Sequence, residues 1–130
     1  MKIIDGKNAV LGRLASYVAK EALKGEELAI VNCEHIIITG NKKNIEENFR
    51  AKRGRVGTAQ KGPKVSRDVE KIVKRTIRGM LPNHREGRGR DAFKRVKCYK
   101  GLPKEFQDSK KITAGRGARE KFVELGILGK

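Results

Sequence analysis

The run Leu28-Ala29-Ile30-Val31-Asn32-Cys33 constrains the fold more than any other stretch of the chain. A strand covered on one face alternates apolar and polar residues, whereas a strand covered on both faces is apolar almost throughout. This run is of the second kind, so layers must lie on both sides of it. Upstream, Leu11, Leu14, Ala15, Val18, Ala22 and Leu23 follow helical spacing, with Asn8 as the expected cap and Gly25 as the stop. Lys2-Ile3-Ile4-Asp5 reads as a short strand ended by Gly6, and Ile36-Ile37-Ile38-Thr39 as a second doubly buried strand closed by Gly40. A helix over about 42–53 has Ile45 and Phe49 one turn apart. Ser66 caps a helix expected over about 67–80, and Gly79 and Pro82 bracket its end. Phe93 belongs to a short helix leading into a strand at 96–99, and a weak helix with Phe122, Val123 and Leu125 is expected over about 116–125. Strand–helix alternation with doubly covered strands predicts an α/β sandwich on a mostly parallel sheet. A chain of 130 residues predicts one domain.

The charge is unevenly placed. Residues 1–49 carry seven basic and seven acidic residues, net zero. Residues 50–130 carry 25 basic and 8 acidic residues, so the chain's whole net charge of +17 lies there. An excess of this size argues against a free metabolic enzyme and for a polyanionic partner. Two stretches concentrate it. Residues 50–64 hold six basic residues, three Gly, one Pro and no acid. Residues 84–100 hold seven basic residues against Glu86 and Asp91. Both read as basic loops or extensions whose like charges repel until phosphates neutralise them.

The enzyme readings lack chemistry. The first strand-to-helix turn, 5–12, is neither GxGxxG nor GxxxxGK[ST]. His35 and His84 complete no zinc spacing with Cys33 and Cys98, and neither serves a GxSxG serine. Glu26/Glu27 and Glu46/Glu47 are adjacent carboxylates on exposed segments, expected to be solvated. The two cysteines are expected to be buried, inert residues of predicted strands in a reducing compartment. No metal, cofactor or small-molecule substrate is expected. No run is long enough to span a membrane, and the N-terminus lacks a signal-peptide apolar region, so the chain is expected inside the cell.

The helix expected at 67–80 carries the sharpest functional pattern. Val65, Val69, Ile72, Val73, Thr76, Ile77 and Met80 fall within an arc of about 140° at 100° per residue. Arg67, Lys71, Lys74 and Arg78 line up opposite them as an all-positive ridge. A solvated face ordinarily mixes signs to gain ion pairs, so this ridge points to phosphates. Arg13, Lys20 and Lys24 repeat the pattern more weakly on the first helix. Among residues 85–95, Arg85, Arg88, Arg90 and Arg95 outnumber Lys94, and Gly87 and Gly89 allow close backbone approach to a phosphate. Aromatic residues make up 5%, with no Trp, so base-stacking platforms of the RRM or OB kind are not expected. The absence of helix-turn-helix and zinc-finger patterns favours folded RNA over DNA.

Four motifs in order resemble one family. They are Val10-Leu11-Gly12-Arg13-Leu14-Ala15-Ser16, Thr39-Gly40-Asn41-Lys42, Arg78-Gly79-Met80-Leu81-Pro82 and the stretch GRDAFKRVKCYKG at 89–101. The chain resembles the family of large-subunit ribosomal protein thirteen, in its archaeal form. The segment between Asn41 and Pro63 lacks the His- and Gly-rich stretch common in bacterial relatives. The resemblance implies a three-layer α/β/α fold with a four-stranded, mainly parallel sheet. It implies a core over about 1–101, with 102–130 as a C-terminal extension. It also implies a non-enzymatic structural role on the cytoplasmic ribosome, with large-subunit rRNA and neighbouring ribosomal proteins as partners, and early action in subunit assembly. The alternative is an extra-ribosomal RNA-binding or assembly factor. The residues expected to meet rRNA are Arg13 and Lys42; Arg53, Arg55, Lys61 and Lys64; Arg67, Lys71, Lys74 and Arg78; and Arg85, Arg88, Arg90, Lys94, Arg95 and Lys97.

Overall fold

The fold is that of a computed structural model, which describes residues 2–54, 68–83, 85–115 and 121–128. Strand β1 (Lys2–Asp5) opens the chain and sends Ile3 and Ile4 to opposite faces of a sheet. Helix α1 (Leu11–Leu23) follows. Asn8 is not its cap. Asn8 sits in a left-handed turn at φ 62°, and Val10 holds the N-cap position with no side-chain bond. Residues 8–10 are already committed elsewhere. Asn8 N–H donates to His35 O (3.2 Å) and Val10 N–H to Gly115 O (2.9 Å), while Ala9 O accepts from Ile37 N–H (2.9 Å). The helix therefore starts only at Leu11. Its end is as expected, with Gly25 at φ 100° just beyond the last turn.

Strand β2 (Leu28–Val31) is buried along its whole length. It stops two residues earlier than the apolar run suggests. Asn32 turns left-handed (φ 56°) and its amide donates to Asp5 Oδ1 at 3.1 Å, and Cys33–His35 forms one 3-10 turn. Strand β3 (Ile37–Thr39) leaves the main sheet. It was expected to be doubly buried, yet Ile38 is half-buried and Thr39 exposed. A parallel neighbour of β2 would need a crossover of a dozen or more residues, and the single turn 33–35 cannot supply one. Helix α2 (Lys42–Arg53) has the predicted bounds, and Asn41 caps it by accepting from Lys43 N–H at 3.1 Å.

Helix α3 (Val69–Met80) buries Val69, Ile72, Val73 and Ile77 of the predicted stripe; Thr76 is half-buried, Met80 is exposed, and Val65 lies outside the described residues. The proposed cap Ser66 lies outside the described residues. Helix α4 (Gly87–Arg95) then runs directly into strand β4 (Val96–Cys98). The stretch read as a Gly/Arg loop is thus mostly helix. Its Gly89 and Ala92, one turn apart, are buried. A Cβ on Gly89 would stand 2.4 Å from the carbonyl oxygens of both Pro82 and Asn83. That glycine is there for close packing of the preceding turn. Strand β5 (Lys111–Thr113) comes from the segment expected to be an extension. Strand β6 (Phe122–Glu124) and the single turn α5 (Leu125–Leu128) occupy part of the stretch read as a weak helix, whose residues 116–120 lie outside the described set.

The main sheet has the order β4-β2-β1-β5 and is parallel throughout, with Ile4 opposite Ile30 and Ile30 opposite Cys98. The fourth strand is therefore β5, while β3 pairs antiparallel with β6 in a separate ribbon. Helices α1, α3 and α4 cover one face, where Ile4, Leu28, Ile30 and Val96 meet Leu14, Val18, Val73, Ile77 and Ala92. The opposite face, with Ile3, Ala29 and Val31, is covered by Tyr99 and Phe106, rings 5.6 Å apart, the latter in a 3-10 turn (Lys104–Phe106). The architecture is the expected three-layer α/β/α sandwich with a thin second outer layer.

Candidate nucleic-acid interface

An amphipathic helix packed on a sheet turns its polar stripe to solvent. Three such helices share one face of this sheet, so their outer stripes form one surface. Arg13 is exposed in the first turn of α1. On α3, Lys71 is exposed and Lys74 and Arg78 are half-buried. Arg88, Arg90 and Lys94 are exposed on α4, and Arg85 in the turn before it. Among the described residues, Arg13, Arg88, Arg90 and Lys94 have no ion-pair partner.

The remaining predicted contacts are dispersed. Lys42 starts α2, and Lys97 sits on β4 with its residue turned to the sheet face opposite α3. Arg53 ends α2. Arg55, Lys61, Lys64 and Arg67 lie outside the described residues. Three predicted contacts have internal partners. Arg95 donates from Nη1 to the Ala22 carbonyl at 2.9 Å, closing the C-terminal turn of α1, and the Lys74 ammonium lies 4.7 Å from the centre of the Phe93 ring. Lys71 reaches Asp68 at 3.7 Å, both side chains being 69% exposed. Arg75, exposed on α3, was missed because it falls between the ridge and the buried stripe. Lys52 of α2 was also missed, although it lies inside the predicted helix 42–53.

Several acidic groups are spent internally, while Glu86 and Asp91 are exposed at and on α4. Glu21 takes Lys2 Nζ at 2.8 Å and Lys24 Nζ at 3.4 Å. The Lys2 hydrogen bond holds the Glu21 carboxyl below its usual range against the opposing effect of burial, and the same bond raises Lys2. Glu70 accepts the Lys100 N–H and Glu34 the Gly101 N–H, each at 2.8 Å. The chemistry left over is cationic donors on a rigid helical layer, suited to phosphate oxygens. Of the cysteines, both expected in strands, Cys98 lies on β4 and Cys33 in the 3-10 turn after β2. Cys33 is buried and Cys98 half-buried, and their mutual hydrogen bond, followed by burial, pushes the Cys33 thiol far up. No group of three or more metal-ligating side chains occurs among the described residues, and no described helix is long and apolar enough to cross a membrane.

The fold and surface define a small, strongly basic α/β domain. The pattern of the family described as ribosomal protein L13 matches residues 1–105. Large ribosomal subunit protein uL13 of Methanocaldococcus jannaschii is 44% identical over 133 aligned positions, covering 100% of this chain and 96% of that protein. The uL13 of Methanococcus maripaludis is 46% identical over 98% of this chain and 94% of its own length. That of Methanopyrus kandleri is 46% identical over 97% and 77%. The chain belongs to the ribosomal protein L13 family, in its archaeal branch, and that family is structural rather than enzymatic.

Proposed function

We propose that this chain is a structural constituent of the large ribosomal subunit that grips 23S-type rRNA by its phosphates. The outer surface of α1, α3 and α4 makes the grip, and neighbouring ribosomal proteins complete the site. The observation that carries the reading is the set of exposed cations Arg13, Arg88, Arg90 and Lys94, none with an ion-pair partner among the described residues, on one helical layer. Binding is early, because a rigid cationic face can gather RNA helices before the subunit is compact. The place of action is the cytoplasmic ribosome.

The test is salt. With about six to ten phosphate contacts, affinity for an rRNA fragment falls roughly 10³–10⁵-fold between about 50 and 200 mM salt. A flat dependence overturns the electrostatic account. Sedimentation separates a constituent from an extra-ribosomal assembly factor. A constituent stays stoichiometric with large subunits through a high-salt wash, and a factor is stripped off.

A further inference from the structure

Between the start of α1, α2 and α3 lies an open groove of about 490 Å³, a volume within the roughly 300–1,000 Å³ of small-ligand sites. Val10, Leu11, Ile38, Ile45 and Phe49 give it apolar walls, and its lining includes no acid. Two polar groups open onto it unused: neither the Asn48 amide nor the Thr39 hydroxyl has a hydrogen-bond partner among the described residues. The Lys52 ammonium sits at its lining, 5.6 Å from the centre of the Phe49 ring. The acids of α2 face elsewhere. Glu46 and Glu47 lie about 100° and 200° around the helix from Ile45.

Gly12 adds an independent observation. It lines the groove in the first turn of α1, where glycine is a weaker helix former than alanine. A Cβ there would have no heavy atom within 4 Å, so nothing inside the described chain calls for glycine. The missing side chain leaves the mouth open and the α1 backbone approachable from outside. An apolar slot with an aromatic wall, an amide and a hydroxyl suits the faces and edges of a nucleobase. The cation in its lining, Lys52, suits the attached phosphate. The absence of any acid in the lining complements a polyanion rather than a neutral peptide.

We propose that this groove takes one unstacked base of the large-subunit rRNA, with its sugar–phosphate passing over Gly12. The inference rests on the rRNA-binding reading above but fixes a site outside the α3–α4 surface. The test is ultraviolet crosslinking of intact large subunits, with mass spectrometry of peptide–nucleotide adducts, for wild type and Gly12→Met. The expected result is an adduct on Asn48, Phe49 or Lys52 that disappears in Gly12→Met while adducts on α3 and α4 persist. Met is the better helix former, so the variant's thermal midpoint is no lower than wild type. Its affinity for the rRNA falls about tenfold to a hundredfold, the range of one lost base–aromatic stack. Should the variant lose stability, Asn48→Ala on the exposed side of α2 replaces it, read by the same adduct. Adducts on α3 and α4 with none on α2 overturn the groove and leave rRNA binding standing. A chemical crosslink from Lys52 to another ribosomal protein, with no nucleotide adduct, overturns it in favour of a protein side chain. No nucleotide adduct anywhere on the chain brings down both readings.

Discussion

The first 49 residues are electrically neutral and the last 81 carry the full +17, yet the fold does not separate them. Strands β1 and β2, from the neutral part, form the middle of the sheet; β4 and β5, from the basic part, form its edges. Neutral α1 lies beside basic α3, with Ser16 Oγ 3.6 Å from Met80 Sδ. Basic elements still contribute apolar side chains to the core, such as Val73 and Ile77 on α3 and Val96 on β4. The difference between the two parts therefore lies in what their outer groups do. In the neutral part a buried carboxylate neutralises its cations, as Glu21 does for Lys2 and Lys24. In the basic part Glu70 is consumed by a backbone N–H, and Arg88, Arg90 and Lys94 stay unpaired. Charge along the chain thus does not decide core membership, which follows periodicity.

Ranked by effect on the free protein, the largest test asks whether the two parts are equally core. Ile30→Ala in β2 and Ile77→Ala in α3 each remove a side chain with no solvent exposure. Both should cost about 2–5 kcal/mol in urea unfolding. A cost under about 1 kcal/mol for Ile77 alone would break the comparison, leaving α3 as an appendage. Next comes Gly89→Ala. The added Cβ meets two backbone carbonyls that cannot rotate away. Overpacking should cost about 1–3 kcal/mol, and an unchanged midpoint would remove the contact between α4 and the turn before it.

A smaller effect sharpens the electrostatic half of the comparison. Glu21 has its carboxyl held below the ordinary 4.5 by Lys2, so its contribution is present above that value and lost as pH falls through the lower folded value. Lys2, raised above 10.5, contributes below that value and loses its contribution only as pH rises through the higher folded value. Glu21→Gln should therefore melt below wild type near neutral pH, and the gap should narrow as pH falls below 4.5 and close below the lowered folded value. A gap that persists there would make the residue's role packing rather than charge.

The periodic elements were legible from residues alone. The helix at 42–53, the apolar stripe of α3 and the doubly buried β2 all follow from spacing. Partnering was not. Ile36-Ile37-Ile38-Thr39 looks like a central strand, but a four-residue apolar run does not say which strand it will meet, and a 3-10 turn sent it to β6. Strand β5 is three residues long with no fully buried side chain, so no pattern announces it. Residues 87–92 read as a loop because glycine and arginine dominate them, yet the buried Gly89–Ala92 pair makes them helix. At the candidate interface, sequence could mark cations but not which had internal partners. Arg95 reaches back 73 residues to Ala22, and Lys74 covers Phe93. Neither link exists until the chain is folded.

That distinction supplies the finest test, because it divides predicted rRNA contacts into two sets with opposite expectations. Lys71, Arg78, Arg90 and Lys94 point outward from α3 and α4, and their joint replacement by Gln keeps helix propensity. The Lys71–Asp68 pair is lost, but at 3.7 Å between side chains 69% exposed it contributes little. Relief of like-charge repulsion offsets it, so unfolding should stay within about 0.5 kcal/mol of wild type. Affinity for rRNA should nevertheless fall, with a salt slope shallower by up to about four. Arg95→Gln is the counterpart. It removes the donor to the Ala22 carbonyl, costing about 1 kcal/mol, while the salt slope stays unchanged because that guanidinium is already engaged. If the two sets behave alike, in stability or in slope, the folded partners do not decide which cations are available to phosphate. The outer cations of α3 and α4 would then be no more an RNA surface than any other charged face of the domain.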